Sequence, residues 1–251
     1  MTRSTVIDQV TDHIARQIAS GQLEPGERLP SIRQLATEHG VNPSTIQFVL
    51  ARLHAAGFVE PRHGVGVVVR DIQLYGGVET WSYLLRLSPH LPDLVLRSVQ
   101  EILDTLRMFY DTTLTKIEAD PRAYDPAPVR RALQRLQHLA ARDDISPADT
   151  HKAVLQVLRT GLAAVNGSIA LAVLNSLGAM LGEIPQILQA LYADPAEHLW
   201  WWDQMITAWE TADTRSARQA LTLLDDFHTR ALQRLDALLT AETPTGPPTS
   251  G

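Results

Sequence analysis

Residues 23–36 read LEPGERLPSIRQLA and residues 41–46 read VNPSTI. The first stretch opens with a Pro-Gly turn and leads into a short helix that Ser31 is suited to cap. The second stretch starts a further helix, because Asn42 is a good capping residue and Pro43 is tolerated at a first helical position, where no N–H is needed. Together the two stretches predict two short helices joined by a tight turn.

A helix precedes these two helices and a β-hairpin follows them. Apolar residues recur at every fourth position of residues 6–19, which is typical of an amphipathic helix. Residues 58–62 and 65–69 are short β-prone runs on either side of His63 and Gly64, and this pattern predicts a hairpin. Three helices followed by a hairpin in one small domain indicate a winged helix-turn-helix.

A winged helix-turn-helix is a DNA-binding architecture. The helix predicted at 42–56 fits the major groove, which is about as wide as one helix, and the helix at 31–39 braces it. Side chains that the core does not use are then free to contact the bases and phosphates of a double-stranded operator. The predicted DNA-binding residues are Arg33, Asn42, Ser44, Thr45, Gln47, Arg62, His63 and Gly64. An interaction domain of the same architecture is the alternative that the pattern leaves open.

The N-terminal domain, residues 6–70, resembles the winged helix of the GntR family of bacterial regulators. The runs that carry the resemblance are PGxRLPSxRxLA from Pro25, VxxxT from Val41 and LARLHAAGFV from Leu50. The resemblance implies a DNA-binding transcription regulator whose DNA contacts come from Arg33, Ser44, Thr45, Gln47, His63 and Gly64. Many relatives carry an arginine in the recognition helix where this chain has Pro43 and Gln47, and this departure bears on the operator sequence and the affinity.

Composition excludes several classes of protein. The chain has no cysteine, which removes disulfides, thiol nucleophiles and thiolate metal sites and fits a reducing compartment. It also lacks a nucleophile elbow, a P-loop, a dinucleotide-binding glycine pattern and a zinc motif. The N-terminus has no apolar segment of the kind that a signal peptide needs. We therefore expect a cytoplasmic protein that is not an enzyme.

The charge distribution separates the N-terminal domain from the rest. The formal net charge is -6, and residues 1–75 hold seven arginines and seven acidic residues, so the deficit lies beyond them. A neutral domain still binds phosphates if its arginines share one face.

Residues 160–182 carry no charge, but Asn166 and Gly167 read as a break between two helices. We expect a buried helix here and no membrane contact.

Beyond the hairpin, every strong segment is helical. We predict a mainly α fold with a linker at 72–77, whose paired glycines let the chain turn or swing, and an all-α domain of about seven helices at 78–240 that follows the winged helix of residues 1–71. The predicted helices are 78–88, 92–117, 127–142, 147–165, 168–191, 195–211 and 214–240. The tail at 241–251 is rich in proline, threonine and glycine, which predicts disorder.

The C-terminal region, about residues 78–238, resembles the all-helical effector domains of the FadR group. The resemblance implies a domain that binds either a divalent metal or a fatty acyl-CoA. Metal binding requires an aspartate and histidines that converge on the ion, and the corresponding positions here are Ala153, Val157, Trp202 and Leu224. We therefore expect no metal and no other cofactor. The remaining acid–histidine pairs, which we expect to be solvated or bonded locally, are Asp149 with His151 and Asp225 with His228.

Apolar bulk takes the place of metal ligands in this domain. Three consecutive tryptophans from Trp200 lie about 100° apart on a helix, so at least one of them lines a pocket, faces a partner or is exposed. The predicted pocket residues are Asn166, Leu174, Met180, Trp202, Met205 and Trp209. Such a pocket suits a small lipophilic effector such as an acyl-CoA, in a protein that forms a homodimer. The alternative is a helical dimerisation domain that binds no small molecule.

Overall fold

The computed structural model describes residues 5–87, 91–142 and 144–242. The chain divides into two compact units, Met1–Leu91 and Pro92–Gly251. The elements of the first unit are α1 (Val6–Ala19), α2 (Ile32–Glu38), α3 (Pro43–Ala55), β1 (Val59–Arg62), β2 (Gly66–Val69), α4 (Ile72–Tyr75) and α5 (Val78–Arg86). The elements of the second unit are α6 (Pro92–Ala119), α7 (Ala127–Ala140), α8 (Pro147–Ala164), α9 (Ser168–Gly182), α10 (Pro185–Leu191), α11 (Pro195–Glu210) and α12 (Thr214–Glu242).

The first three helices begin within a residue of where the sequence predicts. Ser31 caps α2 in a reciprocal arrangement with Gln34, and Thr5 caps α1 in the same way with Asp8. The apolar faces of these helices meet in one core, where Ile14, Ile46, Leu53 and Phe58 are fully buried. The predicted winged helix-turn-helix is confirmed, since the helices pack in the expected order and a hairpin follows them.

The hairpin is a two-stranded antiparallel sheet with a short turn. Val59 pairs with Val69 and Arg62 pairs with Gly66, so residues 63–65 form the tip. Gly64 has a φ of 75°, a conformation that costs glycine little and most other residues more. An isolated bridge between Arg28 and Val68 ties the hairpin to the loop that precedes α2.

Helix α5 belongs to the first unit, although the sequence assigned it to the C-terminal domain. The hydroxyl of Tyr83 donates to Asp12 Oδ1 at 2.6 Å, and the hydroxyl of Thr80 donates to the Ala56 carbonyl oxygen at 2.8 Å. The ring of Tyr83 also meets Phe58 edge-on, with 5.5 Å between the centroids. Periodicity marks the apolar face of a helix but not the element that covers it, which is why the boundary lies later than predicted.

The segment that the sequence identifies as a linker is partly helical. Asp71 caps α4 by accepting hydrogen bonds from two backbone N–H groups. Gly76 and Gly77 have ordinary negative φ values of -65° and -89°. A Cβ atom on Gly76 would lie 2.3 Å from the Ile72 carbonyl oxygen, so the absence of a side chain permits a close approach. Glycine is therefore favoured at position 76 by this close backbone contact and not by an unusual backbone angle.

The second unit is a helical bundle in which the long α12 packs against α6, α10 and α11. Helix α7 lies against α8 and α11, and α8 also contacts α9 and α10. The single helix predicted at 168–191 is two helices, because Pro185 cannot continue the hydrogen-bond ladder and starts α10 instead. In the described part of the chain, no single helix is both long and apolar enough to cross a membrane, and α9 with α10 meets that test only as a pair bent by 105°.

The predicted C-terminal tail overlaps the last helix by two residues. Helix α12 extends to Glu242, two residues beyond the predicted end at 240. The rest of the predicted disordered tail, residues 243–251, lies outside the described residues.

Candidate DNA-binding surface and effector cavity

Helix α3 has one buried face and one open face. Its four apolar side chains, Ile46, Val49, Leu50 and Leu53, are buried against the rest of the unit. On the opposite face, Ser44, Gln47 and Phe48 are exposed. This division follows from the helical repeat, since residues three and four apart share a face. The open face therefore carries two of the predicted DNA-binding side chains.

The other two predicted residues at the start of α3 differ in how accessible they are. Asn42 occupies the capping position, but its side chain makes no capping hydrogen bond and is exposed. Its amide is therefore available to an external partner. Thr45 is half-buried on the flank of the helix. The structure thus places Asn42 in the open, while Thr45 is the least accessible residue of the predicted set on this helix.

Arg33 projects from the first turn of α2. Its side chain is exposed, and among the described residues no carboxylate forms an ion pair with it. Two other arginines of the unit differ in this respect, since Arg52 is paired with Asp8 and Arg62 with Glu60. The positive charge and the N–H donors of the Arg33 guanidinium are consequently available to a phosphate or a base edge.

The hairpin tip is solvent-exposed, and the charge of the arginine beside it is partly neutralised by an ion pair. His63 and Gly64 are exposed at the tip, as the sequence predicts for a wing. The guanidinium of Arg62 is bound by Glu60 at 2.6 Å, and both side chains are solvent-accessible. An exposed pair of this kind contributes little to stability, so phosphate can displace the carboxylate at small cost.

Phe48 is a surface residue that the sequence interpretation missed. Its side chain is 63 % exposed, in the middle of the open face of α3. The signal was present, because four buried positions define the core direction of the helix and position 48 lies opposite them. The predicted DNA-contacting residues on this helix were all polar, so this exposed aromatic ring was not among them.

An apolar cavity of about 60 Å³ lies inside the helical bundle. Side chains of α6, α7, α8, α11 and α12 form its walls. Of the predicted pocket residues, Trp202, Met205 and Trp209 line it. Leu174 and Met180 are buried but lie outside its lining, and Asn166 is exposed at the end of α8, with a φ of 55°. The residues predicted on α11 thus line this cavity, whereas those predicted from 166–180 do not, and α6 supplies a wall there.

Two of the residues that line this apolar space, Tyr110 and Trp209, carry a polar group. The indole N–H of Trp209 is buried and has no hydrogen-bond acceptor among the described residues. Tyr110 also lines the cavity, and burial raises the pKa of its hydroxyl, which keeps the proton at neutral pH. Its ring is held edge-on by Trp201 and Trp202. A buried donor without an acceptor is costly, so an acceptor on a bound molecule would recover free energy.

The cavity is framed by ion pairs that join its walls. Arg130 on α7 donates to Glu210 at 2.9 Å and to the Thr207 hydroxyl at 2.8 Å, and it also pairs with Asp203. These contacts tie α7 to α11. The pKa of Arg130 is raised, first by its hydrogen bond to Glu210, so the guanidinium stays charged. The tie fixes the α11 wall relative to α7.

The loop between α11 and α12 forms part of the cavity edge. Ala212 lines the cavity, is exposed and has a φ of 55°. The left-handed conformation costs a residue with a side chain about 1–2 kcal/mol. Thr214 follows as the first residue of α12 and also lines the cavity. The exposed edge of the cavity is therefore a strained loop.

The three consecutive tryptophans do not share one environment. Trp200 is 52 % exposed. Trp201 is buried, and its indole N–H donates to the Ala220 carbonyl oxygen at 2.6 Å. Trp202 is buried against the cavity. Of the three, Trp202 alone lines the cavity.

The two acid–histidine pairs named from the sequence are short-range pairs on α8 and α12. In the described ranges, no group of three or more histidine, aspartate or glutamate side chains is placed to hold an ion. His151 is buried and bonded within the bundle, while Asp149 is exposed and accepts from Ser146 and Lys152. The positions where a metal-binding relative would carry ligands, Ala153, Val157, Trp202 and Leu224, are occupied by side chains that cannot ligate.

Comparison with known proteins identifies the N-terminal unit. Residues 6–69 match the family model of bacterial regulatory proteins of the gntR family. The chain is 39 % identical over 101 residues to the HTH-type transcriptional regulator Mce2R of Mycobacterium tuberculosis, a match that covers 40 % of this chain and 42 % of that protein. It is 34 % identical over 85 residues to the fatty acid metabolism regulator protein of Pasteurella multocida, covering 34 % and 35 %. These matches span less than half of the length of either relative.

One solved structure matches over nearly the whole chain. Lar, which controls the expression of the Listeria monocytogenes agr system and mediates virulence, has a TM-score of 0.55 and 16 % identity, with 93 % of this chain and 99 % of that chain covered. At this identity the likeness concerns the fold alone. The N-terminal unit is a winged helix-turn-helix whose residues 6–69 match the gntR family model, and the helical bundle has a structural counterpart.

Proposed function

We propose that this chain is a GntR-type transcription regulator that binds double-stranded operator DNA as a homodimer and is modulated by a small lipophilic metabolite. The observation that carries the proposal is the open face of α3 within a domain that matches the gntR family. A helix of this kind enters the major groove with its N-terminal residues towards the bases. The exposed Asn42, Ser44 and Gln47 supply hydrogen-bonding groups there, and Arg33 and the hairpin tip supply phosphate contacts.

Replacement of Arg33 by alanine is expected to weaken operator binding by about 1–3 kcal/mol if the guanidinium contacts a base. The operator is first selected from a random duplex pool with the full chain, and affinities are then measured by fluorescence anisotropy at one salt concentration. The charge-matched control is Arg135→Ala, because Arg135 is exposed on α7 in the other unit. Equal losses for the two variants would show that Arg33 acts only through net charge.

Homodimerisation is supported by exposed apolar surface in the second unit. Ile169 is 80 % exposed and Val173 is 40 % exposed, one turn apart on α9. Helix α9 carries no charged side chain, so two copies of this face meet without charge repulsion. A symmetric dimer presents the same recognition helix twice, and the selected operator is therefore expected to have two-fold symmetry.

The effector is expected to be a largely apolar molecule that carries a hydrogen-bond acceptor. The cavity is lined mainly by apolar side chains, and the N–H of Trp209, a lining residue, has no acceptor among the described residues. A volume of about 60 Å³ is several times what one water molecule needs, so it admits a short apolar group. A long acyl chain, such as that of a fatty acyl-CoA, requires a wall residue such as Met205 to move.

Trp209→Phe tests this assignment, because it removes the N–H and keeps an aromatic ring. Loss of one hydrogen bond is expected to weaken ligand binding about 2- to 12-fold, since such a bond is worth roughly 0.5–1.5 kcal/mol. The readout is the rise in melting temperature that acyl-CoA esters of increasing chain length produce. The unliganded variant loses some buried ring volume, so each ligand-induced rise is measured against the unliganded melting temperature of the same variant.

The matched control is Trp200→Phe, which changes an exposed tryptophan outside the cavity lining. The ligand-induced shift should be unchanged in this variant. If none of the esters raises the melting temperature of the wild type, acyl-CoA is excluded as the effector class. In that case the helical unit serves dimerisation, which is the other reading of its apolar side chains.

A further inference from the structure

The open face of α3 is apolar at its centre. Four positions lie directly opposite the buried side of the helix, and they are occupied by Ser44, Phe48, Ala51 and Ala55, all exposed. Phe48 is the largest of them and is 63 % exposed. Ala51 is too small to shield it. The ring therefore stands clear of the helix surface, in the part of the domain that the proposed function places in the major groove.

One cation, the guanidinium of Arg52, lies one helical turn from Phe48. Arg52 is engaged in an ion pair with Asp8. Hydrogen bonds from Thr5 and then from Arg52 lower the pKa of Asp8 to about 2, so this pair persists at neutral pH. Reading of guanine by Arg52 requires this ion pair to open first, and the other exposed polar groups near the ring are the amide of Gln47 and the hydroxyl of Ser44.

The base edges offer one apolar group to such a ring. In the major groove, the 5-methyl group of thymine is the distinctive apolar feature, and aromatic and other apolar side chains contact it. The amide of Gln47, one residue away and about 100° around the helix, has the donor and acceptor that match adenine. Both side chains therefore favour A·T pairs at neighbouring positions.

We propose that Phe48 is a specificity-determining residue that packs on the methyl group of a thymine in each operator half-site, beside an A·T pair read by Gln47. This inference rests on the proposed function, since it requires α3 to lie in the major groove. It adds an element that sequence interpretation of polar residues did not supply, namely the base composition at the centre of the half-site.

The test removes the methyl group alone. An operator is selected from a random duplex pool with the full chain, and each thymine of both half-sites is replaced in turn by deoxyuridine. Wild type, Phe48→Ala and Phe48→Leu are compared by fluorescence anisotropy at one salt concentration. One thymine per half-site is expected at which the wild type loses about fourfold in affinity, as burial of one methyl group implies. Phe48→Ala should be insensitive at that thymine, and Phe48→Leu should regain most of the sensitivity.

The matched control is Leu74→Ala, which removes another exposed apolar side chain of the same unit, outside α3. It should retain the full deoxyuridine effect. Thermal melts by circular dichroism establish that each variant is folded.

Three outcomes would overturn the inference. If deoxyuridine lowers the affinity of the wild type and of Phe48→Ala equally, or has no effect at any thymine, Phe48 does not contact a thymine methyl group. If the Phe48→Ala variant sediments as a monomer where the wild type sediments as a dimer, the ring belongs to an interface between copies. A pool that enriches no sequence contradicts the proposed function itself, which distinguishes that failure from the other two.

Discussion

Acidification from pH 7 to pH 4 is expected to lower the free energy of unfolding of the second unit by several kcal/mol. Burial is the main cause that lowers the pKa of both His198 and His228, each to about 4 from an ordinary value of 6.5. The ring of His198 lies between Tyr192 and Phe227, with centroid distances of 5.0 and 4.3 Å. Each shift corresponds to at most about 3 kcal/mol.

The direction follows from proton binding in the two states. The unfolded chain takes up a proton on each histidine below about pH 6.5, while the folded chain keeps both rings neutral down to about pH 4. The unfolded state therefore binds more protons across this window, and stability rises with pH between 4 and 6.5. Asp225 opposes the shift of His228 and Arg107 adds to it.

The measurement is urea unfolding followed by tryptophan fluorescence at several pH values, since four of the five tryptophans lie in the second unit. The double variant His198→Phe with His228→Gln should lose most of the pH dependence in this window. The control is His138→Gln, which changes an exposed histidine on α7. A double variant with the same pH slope as the wild type would contradict the assignment.

Replacement of His151 by alanine is expected to cost about 3 kcal/mol of stability. The ring is buried, with Nδ1 2.8 Å from the Tyr192 hydroxyl and Nε2 2.8 Å from the Gly178 carbonyl oxygen. Burial lowers the pKa of His151, so the ring is neutral. Nε2–H then donates to the carbonyl, and Nδ1 accepts from the hydroxyl. Alanine leaves both partners buried without a bond and opens a cavity between α8 and α9.

A double-mutant cycle separates the hydrogen bond from the lost volume. Tyr192→Phe removes the hydroxyl alone, and the cost of His151→Ala should be smaller in that background. His138→Ala is the control for loss of an exposed imidazole and should change stability by less than about 0.5 kcal/mol. Additive effects of the two substitutions would mean that the hydrogen bond contributes nothing.

The candidate DNA surface was predictable because it depends on short-range features. The start of α2 is set by Ser31, that of α3 by Pro43 at its first position, and the turn at the hairpin tip by Gly64. Each of these acts within a few residues of its own position. The polar residues of α3 then follow from the helical repeat. Phe48 was missed although the same repeat places it on the open face, because exposure was inferred from polarity instead of from position.

The candidate cavity was predictable only in part. Trp202, Met205 and Trp209 recur on one helix at a spacing that lets them share a wall, and the sequence identified them. The opposite wall comes from α6 and includes Tyr110, about ninety residues earlier in the chain. A local pattern contains no information on which distant helix faces another.

The sequence by itself determined the order of the elements, the winged helix-turn-helix and most of its exposed polar residues, since capping, turn formation and periodicity act over a few positions. The tertiary structure alone decided that α5 packs on the winged helix, that α6 supplies a wall of the cavity, and that the N–H of Trp209 has no acceptor among the described residues. These features depend on which surfaces meet after folding. Apolar burial is non-directional, so an apolar stripe specifies that it will be covered and leaves the covering element to the packing of the whole chain.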